Sequence, residues 1–71
     1  MENNETLPLT SEQYAELRRL KAYFPYRIVF CVIHKDGTFE ALAMPTMRYA
    51  NKMARLGHTV MTLQDGAIVA A

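Results

Sequence analysis

Cysteine is nearly missing from this chain of 71 residues: Cys31 stands alone. A lone cysteine forms no intramolecular disulfide and supplies no cysteine-based zinc motif, so neither kind of staple is available. Long apolar runs are missing too. The longest, Ile28 to Ile33, is far too short to cross a bilayer. Met1 to Pro8 is polar and acidic, with no basic start and no apolar stretch of leader type. These absences predict a cytoplasmic protein with no membrane partner, a setting in which a reduced thiol persists.

Catalytic vocabulary is equally sparse. No P-loop, dinucleotide fingerprint, zincin helix or nucleophile elbow occurs. Beyond the N-terminal third the carboxylates are Asp36, Glu40 and Asp65, and both aspartates precede a glycine, where turn chemistry explains them. Cys31 and His34 lie three apart in a strand-like run, so their side chains point to opposite faces and cannot pair as nucleophile and base. Cys31 reads instead as a small core residue. A His34–His58–Glu40 metal site lacks any supporting ligand spacing. No enzyme activity and no cofactor are expected.

What is present is enough apolar material, 51% of residues, for one core in one domain. Residues 1–9 read as a flexible lead-in and residues 10–71 as a single α+β domain. A chain this short buries only about 60% of its unfolded surface. Small domains without staples often gain stability by self-association, so a homodimer is expected.

The chain is punctuated clearly. Thr10 and Gln13 form a capping box, and Leu9 with Tyr14 a hydrophobic staple around it. Leu17, Leu20 and Phe24 continue one apolar helical face, which Pro25 stops. Tyr26 to His34 is β-branched and aromatic with both faces apolar, as in a central strand. Asp36-Gly37 reads as a type I′ hairpin turn leading to a partner strand, Thr38 to Met44. Thr46 is the predicted N-cap of a second helix, whose apolar half holds Met47, Tyr49, Ala50, Met53, Ala54 and Leu56. Gly57 follows as its left-handed cap. His58 to Gln64 and Ala67 to Ala70 form the last hairpin around Asp65-Gly66.

The order is therefore α-β-β-α-β-β. A strand–helix–strand crossover makes strands two and three parallel, and strand one fills the gap between them. The predicted fold is α+β, two helices packed on a small antiparallel sheet of order 2-1-3-4. With both helices on one face, the other face would await a second subunit. The methionines Met44, Met47, Met53 and Met61 read as core around the second helix.

Charge is the remaining signal. Glu2, Glu5, Glu12 and Glu16 precede the first base, Arg18, and the rest of the chain carries about +5. Arg48, Lys52 and Arg55 align on the second helix opposite its apolar half, without an acid among them. Surface helices ordinarily mix signs into i, i+4 pairs. Such a stripe is either a solvated face or a contact for phosphates or an acidic protein surface. Arg18, Arg19 and Arg27 extend it if the helices lie side by side. Tyr23 and Tyr26, flanking Phe24 and Pro25 beside Arg27, have the composition of an interface hot spot.

The layout from Tyr26 to Leu63, hairpin then helix then strand, is similar to that of small bacteriophage proteins that inhibit host machinery. The likeness is one of element order and size, and it carries no site residues. It implies a small interaction module of phage or plasmid type, an adaptor or inhibitor of a host protein. The expected partner-binding residues are Arg48, Lys52, Arg55, Tyr23, Tyr26 and Arg27. A protein is the leading partner, expected to bind through the basic face of the second helix and the exposed sheet edge. Nucleic acid on the same basic face is the alternative, against which stands a pI of about 7.9 where dedicated nucleic-acid domains exceed about 9.

Overall fold

The computed structural model describes residues 9–70. Its elements run α1 (Ser11–Tyr23), β1 (Ile28–Ile33), β2 (Phe39–Met44), α2 (Arg48–Arg55), β3 (Thr59–Gln64) and β4 (Ala67–Ala70). The four strands form one sheet of order β2-β1-β3-β4, antiparallel throughout. This is the expected α+β arrangement. Most of the predicted lead-in lies outside the described residues; Leu9, its last member, is buried in the core.

α1 begins as its sequence dictates. The Thr10 hydroxyl accepts the Gln13 N–H at 3.0 Å, and the Gln13 side chain returns the favour to the Thr10 N–H at 3.0 Å. Leu9 and Tyr14 pack together with Leu17 and Leu20. The helix ends at Tyr23, with Phe24 as its C-cap, one residue before the proline.

β1 decides the architecture. Val29, Phe30, Cys31 and Val32 are all buried, and alternation sends them to two separate cores. Val29 and Cys31 meet Leu17 of α1 and Leu63 of β3. Phe30 and Val32 meet Ala50 and Met53 of α2 and Val60 of β3. The two helices therefore lie on opposite faces, which corrects the expectation that they share one. A shared face would leave two apolar side chains of β1 in water, each costing about 1.5–3 kcal/mol. With a helix on each face, neither face calls for a second subunit to cover it.

Three local expectations also change. In the first hairpin only Gly37 has positive φ (95°), whereas Asp36 does not. Gly37 N–H bonds His34 O, and His34 N–H bonds Thr38 O, each at 2.8 Å. This is a three-residue loop, Lys35 to Gly37, ending in a left-handed bulge glycine, rather than a type I′ turn. The Asp36 carboxylate takes hydrogen bonds from the Thr38 hydroxyl and N–H (2.7 and 2.9 Å), which hold its pKa below the usual range. The second hairpin does follow the expected pattern, with Asp65 and Gly66 both at positive φ.

α2 starts one residue later than expected. Met47 is its N-cap position, and the Thr46 hydroxyl reaches the Arg48 N–H from one residue further out, at 3.3 Å. Its end is a Schellman motif: Gly57 N–H bonds Ala54 O and His58 N–H bonds Met53 O, with Gly57 at φ 94°. Ala54 and Leu56, expected on the apolar half, are exposed, because the buried stripe of so short a helix is only Ala50 and Met53 flanked by Met47 and Tyr49. The methionines divide: Met44, Met47 and Met53 pack on the α2 side and Met61 on the α1 side.

Candidate functional site

α1 and β1 are joined by a tight corner at Pro25, and the corner pushes aromatic side chains outward. Tyr26 is 98% exposed, Tyr23 74% and Phe24 41%. The expectation of Phe24 as core is thus overturned: the helix ends before its ring can turn inward, and Arg27 lies over that ring at 5.3 Å. The Tyr23 and Phe24 rings are tilted neighbours at 6.4 Å. Three large rings and an arginine on one exposed corner match the composition of interface hot spots.

Beside the corner lies a cleft of about 820 Å³. Its walls include Arg18 and Lys21 of α1, Tyr26 and Arg27 of the corner, and Gln64 to Gly66 of the last hairpin. Ile28, Val29, Met47 and Leu63 supply apolar lining. Lys21 Nζ donates to Arg27 O at 3.2 Å, and the Tyr14 hydroxyl donates to Gly66 O, so α1 is tied to both walls. Arg18 sits over the Tyr14 ring at 5.5 Å.

Arg48, Lys52 and Arg55 are exposed on α2, turned away from its buried side, and no carboxylate of the described residues pairs with them. Since α2 lies on the opposite face from α1, Arg18 and Arg19 do not extend this stripe, and Arg19 instead pairs with Glu16. The six expected partner-binding residues therefore fall into two groups. Tyr23, Tyr26 and Arg27 form the corner. Arg48, Lys52 and Arg55 form a separate face, whose nearest approach along the chain is Met47 in the cleft wall.

At the far end of the sheet His34, Glu40, Tyr49 and His58 come together. His34 Nε2 lies 3.1 Å from Glu40 Oε1, to which the Tyr49 hydroxyl also donates at 3.1 Å. His58 stands edge-on to His34 at 4.8 Å and accepts the Lys35 N–H on Nδ1 at 3.0 Å. Burial, the Glu40 hydrogen bond and the Glu40 charge all raise the Tyr49 pKa. Glu40 Oε1 thus serves both His34 and Tyr49, and among the described residues no group of three or more His, Cys, Asp or Glu is arranged to hold a metal. The network clasps the first hairpin to α2 and its exit.

The cleft was not legible in the sequence, because it arises where two strands part; only the basic residues around the first helix hinted at it. Cys31 is buried, and burial raises its thiol pKa. No helix of the described residues is long and apolar enough to cross a membrane. In comparison with known proteins, no family model, curated protein or solved structure matches the chain.

Proposed function

We propose that this protein is a small non-enzymatic interaction module, an adaptor or inhibitor of phage or plasmid type that binds another protein through the corner Tyr23–Arg27. The observation that carries the reading is the nearly complete exposure of Tyr26 beside Tyr23, Phe24 and Arg27. Leaving such rings in water is unfavourable, and a partner surface that desolvates them recovers that free energy. The ionisable groups of the adjacent cleft, Arg18, Lys21, Tyr26, Arg27 and Asp65, include no nucleophile paired with a base, which supports a binding role over catalysis.

The α2 face supports a second reading. Arg48, Lys52 and Arg55 are exposed and unpaired among the described residues, the arrangement that phosphates or an acidic protein surface would use. The test is capture of partners from a bacterial lysate with and without nuclease, using the parent, Tyr23→Ala/Tyr26→Ala, and Arg48→Glu/Lys52→Glu/Arg55→Glu. A partner that survives nuclease and is lost only with the tyrosines is expected. A partner lost with nuclease and with the α2 charges would replace the protein reading by the nucleic-acid one. Retention by both variants would return both surfaces to ordinary solvated exterior.

Self-association belongs to the same proposal. Both sheet faces carry a helix, so a homodimer would form through an edge, and β4 offers four uncharged residues on an edge strand.

A further inference from the structure

We propose that the cleft takes an extended peptide segment of the partner, one that carries a carboxylate beside an apolar side chain. The inference rests on the reading of the protein as an interaction module and adds the class of ligand.

The cleft exists because β1 and β3 part. Their pairing ends at Phe30 and Thr62, yet β1 reaches back to Ile28 and β3 runs on to Gln64. β3 stays paired with β4 up to Gln64–Ala67, and the Tyr14 hydroxyl holds the following turn by Gly66 O. The entry to β1 is held separately, by Lys21 at Arg27 O. The opening is thus built between two anchored walls. A strand end parted from its neighbour leaves room for extended backbone, and the apolar side chains of Val29 and Leu63 at its base suit an apolar residue.

Charge selects the rest of the ligand. Arg18, Lys21 and Arg27 line the cleft, and the one carboxylate there is Asp65. No carboxylate of the described residues forms an ion pair with any of the three. Two of the three lie over aromatic rings, Arg18 over Tyr14 and Arg27 over Phe24. A guanidinium over a ring face still has N–H donors to offer the two oxygens of a carboxylate. Three cations lining a cleft with apolar residues at its base suit an anionic group next to an apolar one. A nucleic-acid strand would need a track of cations for successive phosphates.

The test selects a random peptide library on the parent protein, then measures the enriched peptides by fluorescence anisotropy and by amide shift mapping. Enriched sequences should place Asp or Glu within a residue or two of an aliphatic side chain. Bound peptide should shift the amides of Val29, Leu63 and Gln64. Arg18→Glu and Arg27→Glu, both at exposed positions, should each weaken binding about tenfold or more. Lys35→Glu, at an exposed position of the first hairpin away from the cleft, should leave it unchanged. Enrichment without a carboxylate, or equal binding by both charge-reversal variants, overturns the inference. So does an oligo-dT that produces the same shifts and displaces the peptide. If the inference fails while the lysate partner is still lost with Tyr23→Ala/Tyr26→Ala, only the ligand assignment falls. If that partner is also absent, the interaction reading falls with it.

Discussion

Replacing Phe30 by alanine tests the central claim about the fold, that β1 holds a core on each face. The Phe30 side chain is fully buried (0% exposed), sits between Leu42 and Thr62 on the neighbouring strands, and has the Tyr49 ring at 6.4 Å. Truncating a buried phenylalanine costs about 3–5 kcal/mol, the lost transfer free energy plus that of the cavity left behind. At roughly 0.05–0.15 kcal/mol per residue, a domain of this size has only about 4–11 kcal/mol in total. Collapse into the cavity is restricted, because Ala50 and Met53 across the gap belong to a two-turn helix that Gly57 and Thr46 hold at its ends. Urea unfolding followed by far-UV circular dichroism should therefore show loss of most of the stability, or an unfolded chain in buffer. Tyr26→Ala is the matched control, since an exposed ring should change stability by about 0.5 kcal/mol or less. A Phe30→Ala protein that loses under about 1 kcal/mol and keeps a dispersed amide spectrum would refute the two-core account.

Other outcomes follow from local geometry. Gly37→Val meets no steric obstacle at the added Cβ, but φ is +95°; the strain should cost on the order of 1–3 kcal/mol in the same assay. Desolvation holds the pKa of the buried Cys31 thiol above the ordinary thiol range. A raised folded-state value means its contribution to stability is intact below the unfolded pKa and is lost as pH rises through the folded one. Stability should therefore decline above about pH 9, less so in Cys31→Ala, and native protein should resist thiol reagents until denatured. For self-association, sedimentation equilibrium at high micromolar concentration should show a dimer above the 8.1 kDa monomer, and Val69→Lys on the β4 edge should return it to monomer. A compact monomer throughout would remove the dimer from the proposal.

The readable parts of this fold are those governed by neighbours in sequence. Thr10 and Gln13 announced the start of α1, Gly57 the end of α2, and Asp65-Gly66 its turn, because caps and turns are chemistry between residues a few positions apart. Sheet order was readable for a different reason: the strand–helix–strand crossover leaves a gap between strands two and three, and the most apolar strand fills it. The side of the sheet taken by each helix was less accessible. It depended on Val29 and Phe30 each needing separate cover, a property already visible in the doubly apolar run but not carried through to the helices. Phe24 misled because its spacing continues the apolar face of α1 while Pro25 ends the helix too soon. Tyr23 and Tyr26 are more exposed than their place beside a proline suggests, and the cleft beside them depends on where the β1–β3 ladder stops, which no local pattern encodes.

The double burial of β1 also changes how its alignment is enforced. In a sheet with one wet side, a slip of one residue exposes every apolar side chain, and polarity forbids it. β1 gains no such protection, because either set of its side chains is apolar. The alignment has to come from its partner. Sliding β2 by one position would turn Glu40 away from His34 and Tyr49 and toward the packed side chains under α1, with Phe39 moved out of them. The bulge glycine at position 37 fixes the loop length that sets the same alignment. The most hydrophobic strand in the protein is thus kept in place by a carboxylate on its neighbour and a glycine in the turn between them.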